Sequence, residues 1–413
     1  MKLTFLGGAG EYGRSCFLLE LENKKILIDC GVMKNGATRA EQYPLLTSDL
    51  ASDISAVFLT HAHKDHSAAL PYLSHLGFKG NVYATPSTIT QTKYYLGVWR
   101  KTQLKHNGTC PYTIEDERNL AFKVIDERLA LRWIETEIPG LTYQFGKSGH
   151  VVGAIWYFFQ FKGEKIFFSG DFSLESYLLE YDQPKVVGGV DVAVMDGAYG
   201  VENVHQNEYS QKLIHAVNQS IDQDTSVILP LPPFGRAQDM FLILEKVMKR
   251  DQISVIVDQP ILHAAKEYLL AKSWLKKEIY LRYKQVIEWL EGRALAQDKC
   301  RLFIAFFSES KLLADDWWLE REEPIQIIYT GPKNIKLVDK VNESRKPSIM
   351  ISTTRYKVHP AVYEIEHVIE AIRPNKIWLT HSNLASSQPL ADLLHKSTGR
   401  NVSVPKLTTS LKV

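Results

Sequence analysis

Short apolar runs alternate with charged or glycine-rich turns through the first part of the chain. The period-two pattern predicts strands at 2–6, 16–21, 25–29, 56–60 and 82–84. Helical spacing follows at 86–104 and again at 115–128, and strands return at 142–145, 154–161, 165–169 and 192–195. From about 207 to 346 the pattern changes. Strands at 226–230, 254–257, 301–307 and 325–330 alternate with long helices at 236–250 and 262–292, which is an α/β pattern. The tail repeats it in short form, with a strand at 348–352, a helix at 361–372, a strand at 376–380 and a helix near 388–396. No internal repeat or low-complexity segment interrupts this order.

The polar residues that break the pattern fall at strand ends. The run Ala56-Val57-Phe58-Leu59-Thr60 leads directly into His61-Ala62-His63-Lys64-Asp65-His66. Residues two apart in an extended segment point to the same side, so His61 and His63 can reach one ion. Asp65 and His66 come where the chain turns into the amphipathic stretch 67–73, and the turn can aim them at a second ion beside the first. Three imidazoles and a carboxylate within six residues suit zinc, which takes nitrogen and oxygen donors without a d-electron preference for geometry. Asp29 ends one strand, Asp171 follows Phe167-Phe168-Ser169-Gly170, Asp196 follows 192–195, and His381 follows Ile377-Trp378-Leu379-Thr380. His150 lies in Gly149-His150-Val151-Val152-Gly153. Polar groups on successive strand ends can converge on one rim of a sheet. Asp29 or Asp196 alone would read as a cap or turn residue. Beside residues 61–66 they read as parts of one site.

The bulk properties narrow the class. A chain of 413 residues suits two domains and needs no disulfide to stabilise its core. Four cysteines, Cys16, Cys30, Cys110 and Cys300, form no CxxC pair, which points to a reducing compartment. The opening is too short and glycine-rich for a signal peptide, and no apolar run is long enough for a membrane span, so the expected location is the cytoplasm. A net charge of +2 means that a nucleic acid would be held by local basic surface rather than by a global field. Residues 266–284 offer such a surface, with Lys266, Lys272, Lys276, Lys277, Arg282 and Lys284 among Tyr268, Trp274, Tyr280 and Tyr283. The same stretch also reads as a solvated amphipathic helix with its aromatics in the core.

The set Asp29, His61-x-His63-x-Asp65-His66, His150 and Asp171 resembles the four motifs of the metallo-β-lactamase fold. Val194-Met195-Asp196-Gly197-Ala198-Tyr199-Gly200 resembles the acidic motif that opens a β-CASP insertion. Leu231-Pro232-Pro233-Phe234-Gly235-Arg236-Ala237-Gln238-Asp239 resembles that branch's loop-to-helix segment. His359 and His381 match its two later histidine motifs in spacing. The opening, 8–16 with 27–31, is close to the cleavage-and-polyadenylation endonuclease, and RNase J is a more distant relative. The resemblance implies an αββα sandwich formed by 1–206 and 347–413, with an α/β β-CASP domain inserted at 207–346. It implies two zinc ions, one on His61, His63 and His150, the other on Asp65, His66 and His381, with Asp171 bridging and Asp29 fixing an imidazole from behind. It also implies a ribonuclease in which a hydroxide shared by the metals, with Asp65 beside it, attacks phosphorus. His359, oriented by Asp196, would then protonate the leaving oxygen.

The chain departs from the family pattern in places. Tyr356-Lys357-Val358 precedes His359 where a small Ser-Ala or Ser-Gly pair is usual, so Lys357 is a candidate phosphate contact. The Ser-Pro-Gly loop of the insertion is missing, and His381-Ser382-Asn383 replaces the usual HGE. Arg236, at a helix start, is a second substrate-binding candidate. The expected partner is single-stranded RNA. A DNA-processing β-CASP nuclease is the rival within enzymes, and His381 favours RNA because the DNA branch usually has valine there. A small-molecule metallo-hydrolase fits the long insertion less well, and a non-catalytic scaffold would have lost metal ligands. The expected outcome of His63→Ala is joint loss of bound metal and hydrolysis, read by metal analysis beside turnover; retention of either one would break the link between them.

Overall fold

The computed structural model describes residues 1–36, 38–295 and 301–413, and Cys300 lies outside them. The chain opens with strands β1 (Lys2–Gly7), β2 (Cys16–Leu21), β3 (Lys24–Ile28), β4 (Ile54–Phe58), β5 (Asn81–Ala84) and β6 (Ala121–Val124). It continues through β7 (Ile134–Glu135), β8 (Leu141–Lys147), β9 (Ile155–Phe161), β10 (Glu164–Phe168) and β11 (Val190–Asp196). Next come β12 (Ser226–Pro230), β13 (Ile253–Val257), β14 (Leu302–Phe307), β15 (Ile325–Tyr329) and β16 (Ile349–Thr353), and then β17 (Pro374–Thr380), β18 (Asn401–Ser403) and β19 (Ser410–Lys412).

The chain divides into two compact units. The first comprises Met1–Leu174, Tyr181–Asn203 and His359–Val413. Its strands form two seven-stranded sheets, ordered β19-β1-β2-β3-β4-β5-β6 and β18-β17-β11-β10-β9-β8-β7. Alternation along each strand builds the layers. Phe5, Phe17 and Phe58 point from the first sheet into the second and meet Trp378, Phe168 and Phe159 at centroid distances of 5.9, 6.1 and 5.0 Å. Their neighbours Leu6, Leu18 and Val57 point the other way and pack with Leu70, Leu73, Leu96 and Trp99 of the helices Leu70–His75 and Pro86–Asn107. Behind the second sheet, Phe167, Met195 and Leu379 pack with Ile365, Ile369, Leu390 and Leu394 of Val362–Ile372 and Leu384–Thr398. The result is the expected αββα order.

The second unit, Glu175–Glu180 with Val204–Val358, holds a five-stranded parallel sheet ordered β13-β14-β12-β15-β16. Parallel strands need crossover connections, and the long helices between them supply these. The unit reaches further than 207–346: β16 pairs with β15 from Ile325↔Ile349 to Tyr329↔Thr353, so residues 349–353 complete this sheet rather than the sandwich. A helix the strand-and-helix pattern did not single out, Gln206–Asp222, buries Gln206, Ser210, Leu213, Val217, Ser220 and Ile221, a face half made of polar side chains. The continuous helix expected at 262–292 is broken. Gln259–Leu270 and Lys277–Leu295 flank a turn at Lys272–Trp274, where Trp274 buries its ring and Leu275 extends to bridge Leu179. The helix expected at 115–128 is only Ile114–Arg118, opened by a Thr113–Asp116 capping box and ended at Asn119, and the edge strand β6 follows it. No helix among the described residues is long and apolar enough to cross a membrane.

Asp239 is buried in Arg236–Ile243 and accepts a 3.0 Å bond from the Leu178 N–H. Burial pushes its carboxyl from 3.8 up to about 7. A group whose folded value is raised stabilises the fold below its unfolded value and loses that contribution as pH climbs through the folded one. Relative to Asp239→Asn, the protein is therefore expected to lose stability between about pH 4 and 7, by up to roughly a few kcal/mol. Urea denaturation of both forms across that range checks this, and parallel curves would contradict it.

Candidate metal centre

Backbone pairing between two loops shapes the site. The β3–β4 connection and the 61–66 segment are laced together: Cys30 N–H donates to the His66 carbonyl (2.7 Å) and Val32 N–H to that of Lys64 (3.0 Å), while Ser15, just before β2, donates its N–H to the Asp65 carbonyl (2.8 Å). The approach is so close that a Cβ on Gly31 would lie 1.7 Å from the Asp65 carbonyl oxygen. After β4 the chain stays extended to His63 (φ −54°, ψ 151°) and then enters the helical turn Lys64–Ser67. That switch of backbone sends His61 and His63 one way and Asp65 and His66 another.

Two further site residues sit in left-handed backbone, Asp29 (φ 60°) after β3 and His381 (φ 65°) after β17. Such strain costs on the order of 1–3 kcal/mol per residue and persists where the surroundings fix it. Here the Asp29 N–H donates to the Phe58 carbonyl, and the His381 N–H to Gly8, both at 3.0 Å.

Asp171 is the hub. Its Oδ2 lies 3.5 Å from Nε2 of His61, His150 and His381 and 3.8 Å from Nδ1 of His359, while Oδ1 lies 3.2 Å from His66 Nε2. Around it the six imidazoles close a ring. The centroid distances are 4.0 Å for His61–His66, 5.2 Å for His66–His381, His381–His359 and His359–His150, and 4.9 Å for His150–His63 and His63–His61. Ligand atoms of His61, His63, His150 and Asp171 all lie within 4.8 Å of one another. The same holds for Asp65, His66 and His381, and for Asp171, Asp196, His359 and His381. All of these residues belong to the first unit.

Hydrogen bonds behind the ring set the tautomers. Asp29 Oδ2 faces His66 Nδ1 at 2.7 Å and accepts the Thr60 hydroxyl at 2.8 Å, and Asp29 Oδ1 accepts the Thr60 N–H at 2.7 Å. With its proton given to Asp29, the Thr60 oxygen can accept from His61 Nδ1 at 3.0 Å. In their neutral forms both His61 and His66 then turn Nε2 lone pairs inward. His359 Nδ1 meets Asp196 Oδ2 at 2.8 Å, and Asp196 is itself fixed by the Ala198 N–H to its Oδ1 and by its own N–H to Ser169 Oγ, both 2.9 Å. Thr60 and Ser169 were not singled out in the sequence; adjacency to His61 and Gly170-Asp171 was the available signal.

The donor set fits a metal. His61 Nε2, His66 Nε2 and Asp171 Oδ1 are buried without a hydrogen-bond partner among the described residues. Burial, joined by His66, holds the His61 imidazole well below its ordinary range. Burial, joined by His150, takes His63 to about 3, so both are neutral donors. Burial opposes the charged forms of Asp171 and Asp65, yet the surrounding imidazoles hold both carboxyls below the usual range.

The two substrate-binding candidates lie in the second unit. Arg236 starts the helix Arg236–Ile243, and its guanidinium fills the space over Gly331, where a Cβ would sit 1.7 Å from Nη1. Lys357 does not offer a charge to a phosphate. Its side chain is fully buried, with Nζ 2.7 Å from Glu175 Oε2, which also accepts the Gln206 N–H at 2.8 Å. The basic stretch 266–284 is likewise largely paired: Lys266 with Glu291, Arg282 with Glu245, Lys276 with the Ser176 carbonyl, and Lys272 over the Tyr280 ring. Its Tyr268, Trp274 and Tyr283 are buried, as in a solvated helix.

A sequence profile of the metallo-beta-lactamase superfamily matches residues 9–230. The chain belongs to that superfamily. Among curated relatives of this metallo-beta-lactamase chain, cleavage and polyadenylation specificity factor subunit 3 of Dictyostelium discoideum is 26% identical, across 100% of this chain and 57% of its own length. Transcription termination factor FttA of Cenarchaeum symbiosum is 28% identical over 68% of this chain and 45% of its own. Endoribonuclease YSH1 of Candida albicans is 28% identical over 61% and 30%. The chain thus spans about half or less of the length of these relatives. These similarities fit the β-CASP branch of the superfamily. A crystal structure of a protein of unknown function from Enterococcus faecalis V583 shares the fold, with a TM-score of 0.63 at 13% identity over 100% of this chain and 99% of that one.

Gly31→Ala removes no donor, yet its methyl group would displace the Asp65 carbonyl. It is expected to lose most bound metal, approaching His63→Ala, when both are assayed by elemental analysis after dialysis. Full metal content in the Gly31 variant would mean that the two loops can part without disturbing the site.

Proposed function

We propose that this chain is a zinc-dependent phosphodiesterase that cleaves single-stranded RNA. The observation that carries the reading is the closed ring of six imidazoles around Asp171, with one of them, His359, also held by Asp196. His61, His63 and His150 would hold one zinc and Asp65, His66 and His381 a second, with Asp171 shared between them. When bound, the metals supply Lewis acidity that polarises a phosphate oxygen and makes water ionisable near neutral pH. Asp65 Oδ2 lies 3.2 Å from His381 Nε2, so both donor atoms stand together for the same ion.

His359 has a different task. Asp196 occupies its Nδ1, so Nε2 is the atom that can deliver a proton to the leaving ribose oxygen. Tyr199 packs edge-on against the ring at 5.1 Å and limits its rotation. Arg236 is the remaining candidate for a phosphate contact along the strand. RNA is favoured over DNA because relatives carry the names of RNA-processing proteins. The unpaired thiols Cys16, Cys30 and Cys110 suit the reducing cytoplasm.

The test is one oligonucleotide sequence made as RNA and as DNA, labelled at either end and incubated with zinc-loaded protein. Cleavage of RNA that disappears in His63→Ala supports the reading; cleavage of DNA alone sends the chain to the repair-type branch. His359→Ala is expected to keep its zinc and slow RNA cleavage by roughly 10²–10⁴-fold. Loss of zinc from that variant would make His359 a ligand and not the proton donor.

A further inference from the structure

Two large aromatic side chains remain exposed at opposite ends of the imidazole ring, and the chemistry described so far uses neither. His63 and His381 are those ends, three imidazoles apart by either path round the ring. At the His381 end stands Tyr12, 43% exposed. Its loop is not a loose one. Arg14, itself buried, grips Glu11 through Nε and Nη2 at 2.7 and 2.8 Å and reaches the Ala40 and Tyr43 carbonyls through Nη1. Glu11 in turn accepts the Gly8 N–H at 3.1 Å, and the Gly8 carbonyl accepts the His381 N–H. The Tyr12 hydroxyl lies 3.5 Å from the Ala198 carbonyl, in the residue whose N–H fixes Asp196. Tyr12 is thus tied by short links both to a ring histidine and to the carboxylate that orients His359.

At the His63 end, Tyr95 packs edge-on against His63 at 5.9 Å, and Tyr94 packs edge-on against Tyr95 at 5.4 Å. Tyr95 is buried, whereas Tyr94 is 39% exposed. Both lie on the long helix Pro86–Asn107. Each end of the ring therefore carries an open aromatic side chain on a rigid support.

We propose that Tyr12 and Tyr94 stack on nucleobases on either side of the scissile phosphate, so that the strand is held across the ring from two points. The inference rests on the RNA reading above. An aromatic face accepts any base, because every base has a π-face, and each stack strengthens binding by roughly 5- to 100-fold. A rigid support is what makes such a contact useful, since little side-chain freedom is lost on binding. Two supports also do what one cannot. They fix the direction of the backbone between them, and an in-line attack needs that direction fixed.

The experiment is a cycle of two changes on zinc-loaded protein. RNA carrying a single abasic nucleotide at successive positions around the cleavage site is cleaved by the wild type, Tyr12→Ala, Tyr12→Phe, Tyr94→Ala and Tyr94→Phe. Each alanine variant is expected to lower kcat/KM for intact RNA by roughly 5- to 100-fold, chiefly through KM, and phenylalanine should restore it. For each tyrosine, one abasic position should cost the wild type as much as the alanine change does, and the two losses together should not add. The two positions should lie on opposite sides of the cut. Losses that add at every position, or alanine variants with normal zinc that cleave intact RNA like the wild type, overturn the proposal. Hydrolysis of bis(p-nitrophenyl) phosphate by the wild type separates the levels of failure. If that ester is cleaved and RNA is not, the RNA reading falls and this inference with it.

Discussion

Asp171 is a single buried carboxylate facing five imidazoles, and the first unit is arranged to make that possible. An ionised carboxylate in a protein interior is costly unless opposite charge or hydrogen bonds surround it. His66 and His381 show the electrostatic answer. Burial would lower both, but Asp171 outweighs it, holding His66 well above its ordinary range and raising His381 to about 9. A divalent cation does the same work better, since it is a concentrated charge that needs no proton. The ring therefore favours cations in either form, and protons compete with metal for it. The sandwich explains why the ring closes: β4, β10, β11 and β17 end on one rim, and each delivers a donor at or just past its last residue.

Much of this was legible from residue types alone. Donors at strand ends are visible because a polar residue ending an apolar run stands out, and the residues at 61–66 stand out most. The layers were legible too: strands such as Cys16–Leu21 are near-continuous apolar runs, as a strand buried on both faces requires. The misses have physical causes. The helix Gln206–Asp222 buries glutamine and serine, so its face does not read as apolar. The edge strand Ala121–Val124 has no fully buried residue, so its period is faint. The break at Lys272–Trp274 is made by a tertiary contact, and helix-forming residues run straight across it. Lys357 shows a further limit. A lysine two positions from a histidine of the site looks like a phosphate ligand until Glu175, 182 positions away, is seen to neutralise it.

Support behind the donors was the least legible part. Thr60 hands one proton to Asp29 and receives another from His61, which makes a hydroxyl the selector of a tautomer. Ser169 does a comparable service for Asp196. Small hydroxyl residues of this kind carry no signature in a single sequence, because the same residues cap helices and fill turns everywhere. Gly31 is similar: only the 1.7 Å approach of a neighbouring backbone reveals why nothing larger fits.

The order in which donors occur along the chain has a consequence during synthesis. His61 to Asp171 are complete before the second unit begins, but His381 is 316 positions beyond its partner Asp65. It is placed only when β17 pairs with β11, Thr380 beside Asp196. A ribosome making this protein must therefore translate the whole second unit before the ring can close. Until then the centre stands open, short of its last donor.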